Sequence, residues 1–167
     1  MKLLVIRHAI AEDRDRWAAT GEPDEKRPLT DIGLKKMKKG ASGIHSLVSR
    51  IDLLATSPLA RAVQTAELVA KEYDAMAVVV ASALEPQRTP ATFLEWLRSL
   101  DEVECLAVVG HEPHLSGLVS WLLTGRNGSV IDLKKGGACL LNLQALEPGQ
   151  AQLMWLLTAD QLRDLRE

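Results

Sequence analysis

No stretch of this chain is a long apolar run. None approaches the roughly 20 apolar residues that a membrane-spanning helix needs, and Leu3 to Ile6 alone precede the first charged cluster, too few for the core of a secretion signal. The expectation is a soluble cytoplasmic protein with no membrane partner. Cysteine is scarce as well. Cys105 and Cys139 are the only two, both in apolar strand-like runs, which excludes a disulfide framework and suits buried thiols in a reducing compartment. Charge of one sign is also missing: 20 Lys and Arg stand against 22 Asp and Glu, so no broad field favours nucleic acid. Any positive charge the protein uses must be local. There is no carboxylate cluster of the kind that holds magnesium and no zinc-type spacing, so neither metal nor cofactor is expected. Repeats and linkers are absent, and residues 1–167 read as a single domain, expected to be a monomer.

What the chain does contain is ordinary globular material, 47% hydrophobic and 25% charged, which argues against disorder. Leu3-Leu4-Val5-Ile6 is a non-alternating apolar run and suits a strand buried on both faces. Arg7 and His8 then sit at its carboxyl end, the edge where open α/β sheets bind ligands. Residues 10–28 are polar and aperiodic and read as a loop, either solvated or forming a rim. Thr30 is a candidate N-cap for a helix with Ile32, Met37, Ala41, Ile44 and Val48 inward, and the lysines at 35, 36, 38 and 39 read as its solvated face. A strand over 51–56 leads into Ser57-Pro58, an N-cap and N1 pair. The following helix carries Leu59, Ala62, Val63, Ala66, Val69 and Ala70 as a stripe, with Arg61 off that stripe in the first turn. A strand over 76–81, a helix over 90–100 and a strand over 103–110 follow. Gly110-His111-Glu112-Pro113 then opens a further helix stopped by Gly125. Runs at 138–143 and 152–157, split by Pro148-Gly149, read as an antiparallel pair, and a short helix begins near Ala159. The pattern predicts an α/β fold: three layers, αβα, with a mostly parallel sheet of about six strands and helices on both faces.

Three strands end in candidate chemistry, at Arg7-His8, at Ser57 to Arg61 and at His111, and all three map to one edge of the sheet. Two arginines and two histidines beside helix N-termini make a pocket for a dianion, because guanidinium forks match phosphate oxygens and carry fixed charge. The motifs Arg7-His8, Pro28-Leu29-Thr30-Asp31-Ile32-Gly33, Ser57-Pro58-Leu59-Ala60-Arg61-Ala62-Val63-Gln64-Thr65-Ala66 and Gly110-His111-Glu112-Pro113 resemble the histidine phosphatase superfamily, which includes the phosphoglycerate mutases. The short length and the Arg-His-Ala start resemble its SixA-type phosphohistidine phosphatases. The resemblance implies a phosphoglycerate mutase-like fold, with His8 as a nucleophile that becomes phosphorylated and Arg7, Arg61 and His111 holding the phosphoryl group. It also implies a phosphohistidine-bearing phosphorelay or phosphotransferase protein as partner.

The residues support those roles in their own right. A nucleophilic imidazole must be neutral, and nearby guanidinium groups disfavour its cation. Phosphoryl transfer asks mainly for positioning and charge stabilisation. Many relatives in the superfamily carry a general-acid carboxylate after the third strand; here the only candidate is Glu85, whose alternative is a surface glutamate. An alkoxide leaving group needs that acid, whereas a leaving imidazole is less basic and can take its proton from solvent. The chain is too short for a large lid, so an open pocket able to admit a side chain of another protein is expected. Ser57 reads first as an N-cap and second as a phosphate contact. His114 reads as exposed, and Glu112 as a backbone N–H donor. Trp17 and Trp96 are candidate docking aromatics, Trp121 and Trp155 core residues. The rival readings are a phosphatase of a small phosphate ester, for which Glu85 matters, and a phosphate-binding module without turnover.

Overall fold

In the computed structural model, which describes residues 1–165, β1 (Lys2–Arg7) lies at the centre of one six-stranded sheet. It is flanked by β4 (Cys105–Gly110) and β5 (Ala138–Leu143). β2 (Leu53–Thr56) pairs with the far side of β4, and β3 (Val78–Val80) and β6 (Ala151–Leu157) form the two edges. β1 to β4 run parallel, and β5 and β6 are added antiparallel. The non-alternating sequence of β1 follows from this position. Leu4 and Ile6 enter one core, Leu3 and Val5 the other, and all four are fully buried.

Helices α2 (Asp31–Leu47), α3 (Ala60–Glu72) and α6 (Ala159–Asp164) cover one face, and α4 (Pro90–Arg98) and α5 (His114–Thr124) the other. The architecture is the expected three-layer αβα. Several local expectations need correction. The polar segment after β1 is not structureless: it contains α1 (Arg14–Ala18) and a 3-10 turn over Asp24–Lys26. Ile32 is exposed, because the buried stripe of α2 runs through Gly33, Met37, Ala41 and Ile44 instead. α3 starts at Ala60, so Ser57 and Pro58 lie in the turn ahead of it, and Ser57 Oγ accepts only the Leu59 N–H, at 3.3 Å. β3 is shorter than expected and exposes Val79 and Val80, since it is an edge strand. His114 is buried, not exposed. Trp96 leans on Phe93 and the second core, while Trp17 donates within its own loop to the Pro23 carbonyl at 3.0 Å. Cys105 and Cys139 are free and buried. Among the described residues, no helix is long and apolar enough to cross a membrane.

The packing of α2 on α6 depends on a missing side chain. A Cβ at Gly43 would overlap the carbonyl of Leu162, so only glycine lets the two helices approach this closely. Overfilling such a contact costs about 1–3 kcal/mol. Gly43→Val is therefore expected to lower the urea midpoint by that amount of stability, with the slope of the transition unchanged.

Candidate active site

Strand register brings the site together. Arg7 pairs with Gly110 across β1 and β4, and Thr56 pairs with Val109 across β2 and β4. His8, Ser57 and His111 are each one residue beyond a strand end, on neighbouring strands. Backbone hydrogen bonds continue the ladder past those ends: His8 N–H donates to the Gly110 carbonyl at 3.0 Å, and Ser57 N–H to that of Val109 at 3.0 Å. The rings of His8 and His111 consequently lie 5.1 Å apart, tilted by 53°. Both are buried.

His8 Nδ1 is 2.7 Å from the Ala9 carbonyl. A carbonyl can only accept, so Nδ1 carries the proton and Nε2 keeps its lone pair. Ala9 is fixed in turn by the Thr65 hydroxyl, which accepts the Ala9 N–H and donates to the carbonyl of Arg61 one turn earlier in α3. His111 Nε2 is 2.7 Å from Ser57 Oγ. The hydroxyl can donate to that nitrogen or accept from it, according to which ring nitrogen carries the proton. Ser57 thus orients His111.

Arg61 is 3% exposed although it lies off the apolar stripe. Its two terminal nitrogens donate to the carbonyl and the carboxylate of Asp24, both at 3.0 Å. The same carboxylate accepts from Arg27 Nε at 2.7 Å, and Arg27 Nη1 donates to the Glu12 carbonyl at 2.8 Å. Arg27 is a third arginine of the site, buried like Arg61, and the reading of the sequence missed it. Its signal is its place beside the Pro28-Leu29-Thr30 motif. That motif is pinned to the segment after His8 by Glu12 N–H to Pro28 O and Thr30 N–H to Ile10 O, so Arg27 has to come with it. Arg7 donates from Nη1 to the Leu133 carbonyl at 2.9 Å. The Nε of Arg7, the Nε of Arg61 and the Nδ1 of His111 are buried without partners.

These residues line one open cleft of about 480 Å3, with Arg7, His8, Arg27, Arg61 and His111 as its polar wall and Arg14 and Lys135 at the mouth. Glu112 lines it too, its carboxylate accepting from the N–H and hydroxyl of Ser116. Glu85 does not. It borders a neighbouring depression that shares Pro86 with the cleft, and its carboxylate is held by Gln87 and Arg88. Burial chiefly, and then the charges of Arg61, Arg7 and Arg27, push the His8 imidazole down to about 4 against the hydrogen bond to Ala9. Burial and the neighbouring His8 and Arg61 push His111 down to about 3. Both rings are neutral at pH 7. The arrangement is a neutral imidazole with a free Nε2, facing fixed cations that suit a tetrahedral oxyanion.

Comparison with known proteins identifies the family and the fold. Residues 3–88 match the family model described as histidine phosphatase superfamily (branch 1), which takes in Arg7, His8, Arg61 and Glu85 but ends before His111. An uncharacterized protein of Picosynechococcus sp. is 34% identical over 139 residues, 82% of each chain. The fold is shared with a protein histidine phosphatase SixA solved with tungstate (TM-score 0.80, 23% identity, covering 97% of this chain and 99% of that one). It is shared also with an alpha-ribazole phosphatase of Shigella flexneri (TM-score 0.69, 18% identity, 95% and 97%).

The shifted histidine titration is measurable. The His8 ring resonance should inflect near pH 4 instead of 6.5, and Arg61→Gln should move the inflection up, since a cation has been removed. The unfolded chain takes up protons at these rings below pH 6.5 while the folded one does not. Stability should accordingly be full above pH 6.5 and fall as the pH drops towards 4, in urea titrations across that window.

Proposed function

The chain belongs to the histidine phosphatase superfamily, and from that premise we propose that it is a phosphohistidine phosphatase acting on a histidine-phosphorylated protein. The observation that carries the reading is the state of His8: a buried neutral imidazole, its Nδ1–H committed to Ala9 and its Nε2 open, on the wall of a cleft with three arginines. In the first step Nε2 of His8 attacks phosphorus. The bond from phosphorus to the substrate's imidazole nitrogen breaks, and that imidazole takes a proton from solvent. In the second step water attacks that phosphorus, its bond to His8 Nε2 breaks to return the neutral imidazole, and inorganic phosphate leaves while the water's proton passes to the phosphate or to solvent. Arg7, Arg61 and Arg27 balance charge on the phosphoryl oxygens, and His111, oriented by Ser57, adds a donor.

The leaving group decides between protein and small-molecule substrates. Glu85 points its carboxylate at Gln87 and Arg88, outside the cleft, so it stands badly placed to protonate an alkoxide. An imidazole leaving group needs no such acid. A second reading, a phosphatase of a small phosphate ester, draws on Glu112, a carboxylate-bearing residue of the cleft lining.

Purified protein should hydrolyse a phosphohistidine peptide faster than sugar phosphates, through an acid-labile, base-stable phosphoenzyme. His8→Ala should lower turnover by about 10³-fold or more and abolish that label. Glu85→Gln should leave the phosphohistidine rate within about threefold of wild type. Preference for sugar phosphates, lost in Glu112→Gln, would establish the second reading in its place.

A further inference from the structure

A second groove, of about 500 Å3, runs between α2, the start of α6 and the turn 134–136. Arg7 and Lys135 line both this groove and the His8 cleft, so the two hollows adjoin. The groove has an apolar floor of Ala9, Ile10, Met37 and Ala159 and a rim of basic side chains. Part of that rim is neutralised at home, Lys134 by Asp132 and Arg163 by Asp160. Lys36 and Lys135 form no ion pair among the described residues, and Arg7 spends only one nitrogen, on the Leu133 carbonyl. The balance on the rim is positive.

The floor is kept open by Gly40. A glycine inside a helix costs about 1 kcal/mol relative to alanine, so it calls for a reason. At Gly33 and Gly43 the reason is packing, because a Cβ would overlap the carbonyl of Ile10 or of Leu162. At Gly40 a Cβ would meet no atom within 4 Å outside its own helix. The space beyond its Cα is open, and a large side chain here would project into the groove. The volume lies within the roughly 300–1,000 Å3 of ligand-binding pockets and exceeds what one phosphoryl group needs.

We infer that this groove docks an acidic, partly apolar segment of the phosphorylated protein, made of the residues flanking its phosphohistidine. The inference rests on the reading of the His8 cleft given above and adds what selects the partner. Carboxylates of the segment meet Lys36 and Lys135, its apolar side chains lie over Met37 and Ala159, and the phosphorylated side chain passes Arg7 into the cleft. Charge complementarity of this kind sets partner choice and association rate.

The test compares free phosphohistidine with two synthetic phosphohistidine peptides, one flanked by Glu, Asp and Leu and the other by Lys and Leu. Wild type should favour the acidic peptide by about tenfold in kcat/KM at low salt, and less as salt is added. Gly40→Leu, which improves helix propensity and fills the groove, and Lys36→Glu should each cut that preference to under about threefold through KM. Turnover of free phosphohistidine should stay unchanged in both. Equal use of the two peptides by wild type, or a preference that survives both variants, overturns the inference. Fluorescence anisotropy with a labelled, unphosphorylated acidic peptide separates docking from chemistry. Binding weakened by both variants, in a protein that turns over no phosphohistidine, upholds the groove and removes the catalytic reading. Absence of binding, or displacement by inorganic phosphate but not by sodium chloride of equal ionic strength, removes the groove.

Discussion

The hydrogen bond from His8 N–H to the Gly110 carbonyl carries the parallel ladder of β1 and β4 one residue beyond the strands themselves. Everything in the cleft is levelled by it. A slip of one residue would turn His8 to the opposite face of the sheet and exchange the two cores, since Leu3 and Val5 serve one and Leu4 and Ile6 the other. The geometry of the two histidines is thus protected by burial of four large side chains. A loop would provide no such protection. That is the advantage of siting chemistry at the carboxyl edge of a central strand.

Burial of cations is the cost of the arrangement, and Asp24 offsets most of it. Arg61 and Arg27 are almost inaccessible, and either left alone would be an uncompensated charge in a poorly solvated wall. One carboxylate accepts from both, and a backbone carbonyl takes one further terminal nitrogen of each, Glu12 for Arg27 and Asp24 for Arg61. The guanidinium groups stay fixed and charged without being fully neutralised, since two cations share one anion. Their residual field acts on His8 together with burial and keeps its ring neutral. The same charges that would hold an oxyanion therefore keep the imidazole beside it unprotonated.

Much of this was legible before any coordinates. The strand ahead of Arg7-His8, the helix carrying Arg61 in its first turn and the antiparallel pair after position 137 follow from periodicity and turn chemistry, and the structure has them. What the sequence concealed was contact at long range. Arg27 sits in an aperiodic polar stretch, and only the pairing of residues 10–12 with 28–30 shows that it faces His8. Ser57 followed by Pro58 has the local signature of a helix cap, yet the hydroxyl is used on His111, 54 positions away. His114 looked exposed because one polar residue at the start of a helix gives no sign of what packs over it. Its ring is buried with both nitrogens unpartnered. Ile32 erred in the opposite direction, because the inner face of α2 was built from glycines that a hydrophobic pattern does not register.

The division of labour inside the fold follows from these contacts. Arg7, His8, Ser57 and His111 stand at a strand end or one residue beyond it, where the backbone ladder fixes them, and Arg61 is held in the first turn of α3. Glu85, Glu112 and Lys135 lie on the segments that leave that edge, where the ladder has stopped. Those three side chains can vary while the wall keeps its hydrogen bonds, which reach the 133–137 segment only through its backbone. The fixing of the cationic wall is thereby separated from the placing of carboxylates around it. The first depends on strand register and is rigid; the second depends on which carboxylate, if any, a loop delivers to the cleft. In this chain the loop after β3 delivers Pro86 there and turns Glu85 away. On the proposed reading such a site suits nitrogen-linked phosphate, whose leaving imidazole takes its proton from solvent.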